Sequence, residues 1–361
     1  MPATKKPWHW LKAAMEAPGA FVMDPRGDLR LNVTPENDVW DEDHDDLAAS
    51  DATSEASDVI EHTQQFLVCS KAMARTSAVF CKMLFGPFFE GQRDDNKAVD
   101  LKDAIEPMLF ALYIVHSRYD MIPIALTVKE LFQLLVVTNK YDMTSIVRPW
   151  NHHWVPLLEY IDEDFGDLEM VAWIAWEVGA EKIFELTIKL LALHRWVNED
   201  GELMDWNDKL IKLNFHVDAA GIIDAATGLR KDLVSRMLSP LQQYARKITE
   251  GTTACAHNTQ SDACDPAAMM SSIVPDLECA EVDDNLVYKG CAEILRCDID
   301  QMRCPTCKSN KCNPIREATR VAGDCEVSEM DSPMTQSQRQ HLAKQARDHR
   351  LEPLGLRSCI A

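Results

Sequence analysis

Residues 66–84, which read FLVCSKAMARTSAVFCKML, decide the fold prediction. The run Phe66–Cys69 is short and apolar, which is typical of a buried strand. A helix is predicted to begin near Ser70, and a second helix covers Ala78–Leu84 before Gly86-Pro87 ends it. A strand followed directly by a helical hairpin predicts a unit in which helices pack against a small sheet.

The sequence on both sides of this stretch extends the same pattern. Upstream, a turn at Asp24-Pro25-Arg26-Gly27 precedes an alternating strand over residues 28–33, with Leu29, Leu31 and Val33 on one face. Downstream come a brief strand at Val99–Leu101 and two helices. One helix covers 106–116 with Leu109, Leu112, Tyr113 and His116 on one face, and the other covers 128–139 with Leu131, Leu134, Leu135 and Thr138 on one face. The pattern indicates an α+β domain.

These residues resemble the BTB/POZ domain, whose pattern is a strand, a helix with "S-x-V-F" and a following "M-L". The matching pieces, in chain order, are residues 66–71, Ser77-Ala78-Val79-Phe80, Met83-Leu84, Phe88-Phe89-Glu90-Gly91, Val99-Asp100-Leu101, the helix ending at His116 and Asn139-Lys140-Tyr141-Asp142. The segments Pro149-Trp150, His152-His153-Trp154 and Trp173-Ile174-Ala175-Trp176 are similar to the fungal branch of the family. Cys69 stands where many members have His.

The resemblance implies a protein–protein interaction module and not an enzyme. BTB domains pair with themselves or with partners through a helix ahead of the first strand and the adjoining strand. That helix would lie near Trp8, Leu11 and Met15, whose helical spacing suits a homodimer contact, with a frayed terminus as the alternative.

Some members of the family recruit cullin-type ubiquitin ligases. They carry an apolar-x-Glu triplet entering the helix before the "D-K-Y" motif, and Val128-Lys129-Glu130 has that form near that place. The same residues also suit an ordinary helix start. A cullin adaptor that presents a substrate is therefore the alternative function.

We expect three regions along the chain. Residues 1–160 form the BTB/POZ domain, a small sheet capped by helical hairpins, with an acidic insertion at 36–61. Residues 161–250 form an all-α domain with one predicted buried stripe, formed by Ile183, Leu186, Leu190 and Val197 and widened by Phe184, Ile188 and Leu191. Residues 251–361 are predicted to be an irregular, Cys-rich and partly disordered region.

Charge excludes two classes of partner. The chain has 361 residues, with 37 Lys and Arg against 58 Asp and Glu, for a net charge of −21. This balance argues against general nucleic-acid binding and against docking on anionic lipid. Without an apolar run of membrane-spanning length or a signal-peptide core, we expect an intracellular protein, in either the cytoplasm or the nucleus.

Cysteine spacing leaves one metal hypothesis open. The segment Cys304-Pro305-Thr306-Cys307 followed by Cys312 has a zinc-like spacing, but a second C-x-x-C is missing from the sequence. A reduced cysteine-rich loop is the alternative, and no cofactor is the main expectation. Because basic residues surround the segment, a zinc-dependent nucleic-acid-associated regulator is the second alternative function. The sequence contains no catalytic motif such as a phosphate-binding glycine loop, H-E-x-x-H or G-x-S-x-G.

Overall fold

A computed structural model gives the structure of the chain. It describes residues 20–35, 63–87, 98–159, 168–205, 209–211, 221–250, 279–282, 285–301, 320–325, 327 and 330–348. The chain divides into two compact units, one comprising residues up to Leu158 together with those from Ala346 onward, and the other Glu159–Gln345. Both strands and helices occur, so the chain is a mixed α+β protein.

The first unit contains a four-stranded sheet and five α-helices in its described residues. They are β1 Phe21–Val22, β2 Leu29–Thr34, β3 Gln64–Val68, α1 Ser70–Thr76, α2 Ala78–Phe85, β4 Ala98–Lys102, α3 Ile105–Val115, α4 Val128–Lys140 and α5 Asn151–Trp154. Short 3₁₀ helices cover Tyr119–Met121 and Thr144–Val147, and a third, Val155–Glu159, ends where the second unit begins. The predicted order of strand, helical hairpin, strand and two helices is present.

The sheet order is β1-β3-β2-β4. β2 pairs antiparallel with β3, placing Leu31 opposite Phe66, and parallel with β4, placing Leu31 opposite Val99. Leu29, Leu31 and Val33 are fully buried, so the alternation predicted for this strand is confirmed. One face of the sheet therefore packs against the hydrophobic core.

Helix α3 is more deeply buried than its sequence pattern predicts. Eight consecutive residues, from Pro107 to Ile114, are buried, and not only the predicted stripe. A helix that is apolar all round belongs in the interior, where neighbours cover every side. The predicted stripe of α4 is confirmed, since Leu131, Leu134, Leu135 and Thr138 are all buried.

The second unit contains helices and two small hairpins in its described residues. They are α6 Leu168–Val178, α7 Glu181–His194, β5 Trp196–Val197, β6 Leu203–Met204, α8 Ile222–Thr249, β7 Cys279–Val282, β8 Asn285–Tyr288, α9 Ala292–Gln301 and α10 Gln336–Asp348. α6 packs against α7, and α7 against α8. Gly179, at φ +80°, lets the chain turn sharply between α6 and α7.

One hydrophobic core in this unit includes residues from both sides of residue 250. It joins Met237 and Leu238 of α8 with Leu295 and Ile299 of α9, and it also includes Cys325. Within the region predicted to be irregular, the described residues form two strands and two helices. The apolar face of α9 packs against α8, which accounts for the order of that helix. None of the helices in the described parts of the chain is long and apolar enough to cross a membrane.

Candidate protein-interaction surface

An aromatic cluster lies on the surface of the first unit, where the loop after α3 meets α5. The Tyr119 ring lies 5.6 Å from the ring of Trp150, which stacks at 6.0 Å on Trp154. Trp154 is buried, and its indole Nε1 donates a 3.3 Å hydrogen bond to the carbonyl of Pro123. This bond holds the loop against the helix, and the next residue in the loop is Ile124.

The outer members of this cluster are open to solvent. Ile124 is 77% exposed and Tyr119 is 59% exposed, while Trp150 is half-buried. We call Tyr119, Ile124 and Trp150 the aromatic patch. Tyrosine and tryptophan are enriched among the residues that dominate binding energy in protein interfaces. The patch can therefore bury apolar surface against another protein, and the sequence reasoning did not identify it.

The backbone that leads into the patch follows a common helix-ending motif. α3 ends with Ser117 at φ +59°, where the Arg118 N–H reaches back to the Tyr113 carbonyl at 2.8 Å. This six-residue return is the Schellman ending of a helix, and it fixes the direction in which the loop leaves. The only signals in sequence were the unusual density of aromatic residues at 150–154 and the hydrophobic residues of a loop.

Glu130, the acidic member of the cullin-type triplet, takes part in a capping box at the start of α4. Its Oε2 accepts hydrogen bonds from the Thr127 N–H at 2.8 Å and the Thr127 Oγ1 at 2.9 Å, and its own N–H donates to Thr127 Oγ1 at 3.2 Å. Glu130 is buried, whereas Val128 and Lys129 are half-buried. The carboxylate therefore has a local role in starting the helix.

Other candidate residues from the sequence lie outside the described part of the chain. These are the self-association residues Trp8, Leu11 and Met15, the cysteines Cys304, Cys307 and Cys312, and the acidic insertion at 36–61. Among the residues that the structure does describe, no group of three or more His, Cys, Asp or Glu side chains is placed to hold a metal ion.

The interior of the first unit brings the quoted motifs together. The Tyr141 ring stacks on Phe80 at 4.7 Å, and its hydroxyl donates a 2.5 Å hydrogen bond to Asp103 Oδ2. Lys140 Nζ lies 2.7 Å from Asp103 Oδ1. Burial, reinforced by the neighbouring Asp103 carboxylate, raises the pKa of Tyr141, so this hydroxyl stays protonated as a donor.

No family model matches the chain, and no curated protein matches it.

Proposed function

We propose that this chain is a non-enzymatic protein–protein interaction module of the BTB/POZ kind, which self-associates. Support comes from the sequence motifs, which keep the family's order, and from their placement within one α+β unit. Ser77, Phe80 and Tyr141 come from two of those motifs and contact one another in the interior. The motifs would then specify the scaffold, and the surface would carry the function.

The observation that carries the proposal is the aromatic patch. A 77% exposed isoleucine beside an aromatic cluster gains free energy by leaving water, at about 25 cal/mol per Å² of apolar area. Its charged neighbours Arg118 and Asp120 are exposed and 3.9 Å apart, so they suit the polar rim of an interface. The occupant we propose is a second copy of the chain. The resemblance implies self-pairing, although the family's own contact is the helix ahead of the first strand and not this patch, so the two surfaces are separated by experiment below.

The experiment is sedimentation velocity over a range of concentrations, on the full chain and on Ile124→Asp. We expect the wild type to form a dimer and the variant to raise the dimer dissociation constant at least about tenfold. Ile294→Asp is the matched control, because Ile294 is also exposed but belongs to the second unit. A wild type that stays monomeric at every concentration contradicts self-association.

A truncation without the first 20 residues distinguishes two interfaces. If the dimer uses the aromatic patch alone, the truncated chain keeps the wild-type dissociation constant. If the segment with Trp8, Leu11 and Met15 forms the contact, the truncated chain dissociates and Ile124→Asp has no effect. The second result moves the interface away from the patch.

The cullin-adaptor alternative is tested by binding of the full chain to a purified cullin. Glu130→Gln is the informative variant, because Gln also completes a capping box while the negative charge is removed. A contact made through the carboxylate predicts weaker binding by Glu130→Gln. Absence of binding by the wild type rules the alternative out.

The zinc-dependent alternative is tested by the metal content of the full chain. A structural site would contain close to one zinc per chain, and replacement of Cys304 and Cys307 by Ser would remove it. A content below about 0.2 zinc per chain leaves this alternative without a basis.

A further inference from the structure

The segment 330–335, which we call the strap, is a non-helical part of the second unit that leads into helix α10. It is held on α7 by two side chains of that helix. Lys189 Nζ donates to the carbonyl of Met330 at 2.8 Å, and Ser332 Oγ donates to Glu185 Oε2 at 2.9 Å. Met330 and Met334 are buried on either side of Ser332, which is itself half-buried.

The Ser332 hydroxyl therefore lies against a negative charge. Glu185 and Lys189 form an ion pair at 2.9 Å on one turn of α7. Although burial raises the pKa of Glu185, hydrogen bonds from Lys189 and Ser332 and the charges of Lys189 and Arg339 outweigh it and lower the pKa. The Glu185 carboxylate is ionised at neutral pH. Its hydrogen bond with the strap exists only while the Ser332 hydroxyl carries a proton to donate.

Ser332 is followed by Pro333, and the chain has two other Ser-Pro or Thr-Pro pairs, Thr34-Pro35 and Ser239-Pro240. Thr34 lies in β2, whose two edges pair with β3 and β4. Ser239 lies within helix α8. A protein kinase takes its substrate as an extended, irregular segment. Of the three pairs, only Ser332 lies outside a helix or a strand.

We propose that Ser332 is a phosphorylation site for a proline-directed protein kinase, and that the phosphate loosens the strap from α7. In the reaction, Ser332 Oγ attacks the γ-phosphorus of ATP and forms a new O–P bond. The bond from that phosphorus to the β,γ-bridging oxygen breaks, and ADP leaves. The hydroxyl proton passes to the general base of the kinase.

Charge gives the direction of the effect. A phosphoserine carries about −1.5 to −2 at pH 7 and its Oγ has no proton to donate, so the bond to Glu185 is lost and replaced by repulsion. The ammonium of Lys189 is buried and already bonded to Glu185 and the Met330 carbonyl. A phosphate could form an ion pair with Lys189 only by breaking the existing ion pair between Lys189 and Glu185. The exposed Arg339 of α10 is the other cation whose charge acts on Glu185, and a phosphate drawn to Arg339 also leaves the Glu185 carboxylate. The strap therefore moves away from Glu185.

The test uses the purified full-length chain, ATP and a proline-directed kinase that is active on a standard Ser-Pro peptide. Mass spectrometry locates the phosphate, and hydrogen–deuterium exchange compares amides 330–345 before and after. We expect phosphate on Ser332 and not on Thr34 or Ser239, with roughly tenfold faster exchange in the strap. Ser332→Ala controls for loss of the hydrogen bond without added charge.

Glu185→Gln separates repulsion from a merely structural disturbance. The glutamine side chain keeps an oxygen that accepts from Ser332 but has no charge, so phosphorylation should accelerate exchange less in this variant than in the wild type. No phosphate on Ser332 overturns the assignment of the site. Unchanged or slower exchange after phosphorylation, or an equal acceleration in Glu185→Gln, overturns the loosening.

Discussion

Ser77 Oγ donates a 2.5 Å hydrogen bond to the main-chain carbonyl of Tyr141, 64 residues further along the chain. The same oxygen accepts the Phe80 N–H at 2.9 Å and so caps helix α2. Ser77 is 2% exposed. One buried hydroxyl therefore starts α2 and fixes the end of α4, which places the two helices relative to each other.

Replacing Ser77 by alanine should lower the free energy of unfolding by about 2–3 kcal/mol, because it removes a helix cap and leaves the Tyr141 carbonyl without this donor. Urea denaturation measures the loss. Ser145→Ala, at an exposed position of the same unit, is the control and should change stability by less than about 0.5 kcal/mol. Equal effects of the two substitutions would contradict the role given to Ser77.

Tyr141→Phe keeps the ring that stacks on Phe80 and removes the hydroxyl that donates to Asp103. We expect a loss of about 1–3 kcal/mol at neutral pH, since a buried carboxylate oxygen loses its donor. Denaturant titration of the variant measures this loss.

The same variant has a pH signature. Because the pKa of Tyr141 is higher in the folded than in the unfolded chain, the protonated hydroxyl contributes stability in full below the unfolded value of 10.0 and loses it as the pH rises above. The wild type should therefore lose stability above about pH 10 more steeply than Tyr141→Phe, by up to about 1.4 kcal/mol per pH unit. Parallel pH profiles would contradict this.

Local sequence patterns predicted which residues are buried where the burial depends on a single strand or helix. The alternation of Leu29, Leu31 and Val33 and the stripe of α4 could be predicted because each periodicity reports one buried face. The stripe on α7 was predicted in part. Ile183, Phe184, Ile188 and Leu191 are buried as predicted, but Leu186 is 36% exposed, and the polar Lys189 is buried. Lys189 can be buried because its ammonium pairs with Glu185 and donates to the Met330 carbonyl. Met330 is 141 residues away in the sequence, so the periodicity of a single helix could not predict this contact.

The aromatic patch could not be predicted for the same reason. Tyr119 and Ile124 follow α3, whereas Trp150 directly precedes α5. Contacts between these segments, among them the hydrogen bond from Trp154 to Pro123 and the ring contact of Tyr119 with Trp150, bring them together. Of the two roles that the sequence allowed for Glu130, a helix start and a cullin contact, only the helix start could be predicted from local spacing. Thr127 and Glu130 have the spacing of a capping box, and the structure uses that spacing at the helix start.

His116 should make the first unit sensitive to mild acid. Its Nε2 accepts the Cys69 N–H at 3.0 Å, while its Nδ1 lies 2.9 Å from the Leu112 carbonyl. Burial lowers the pKa of His116 more than the Leu112 hydrogen bond and the Asp24 charge raise it. The neutral ring therefore contributes stability that is present above the unfolded value of 6.5 and lost as the pH falls below it.

The measurement is the free energy of unfolding between pH 7.5 and pH 5 for the wild type and for His116→Gln. The variant should be less stable at pH 7.5 and should show a flatter pH profile. His152→Ala, at an exposed position, is the control and should keep the wild-type slope. A His116→Gln profile as steep as the wild type would assign the acid sensitivity to another group.

Arg230 connects three parts of the second unit through main-chain carbonyls. Its guanidinium donates to the carbonyls of Ala192, Arg195, Tyr288 and Gly290, and the residue is 3% exposed. Burial lowers the pKa of Arg230 to about 10, so the group remains charged at neutral pH. It therefore ties helix α8 to the end of α7 and to the chain after β8.

Arg230→Met should destabilise the second unit by about 3–5 kcal/mol, because four carbonyl contacts lose their donor in the interior. Arg230→Lys should recover only part of this, since an ammonium cannot span the positions that the planar fork reaches. Thermal unfolding measures both, with the exposed Lys231→Met as the matched control. Hydrogen exchange should locate the loosening at residues 288–290. If Arg230→Lys were as stable as the wild type, a single positive charge would be enough to bind these carbonyls, and the planar geometry of the guanidinium would not matter.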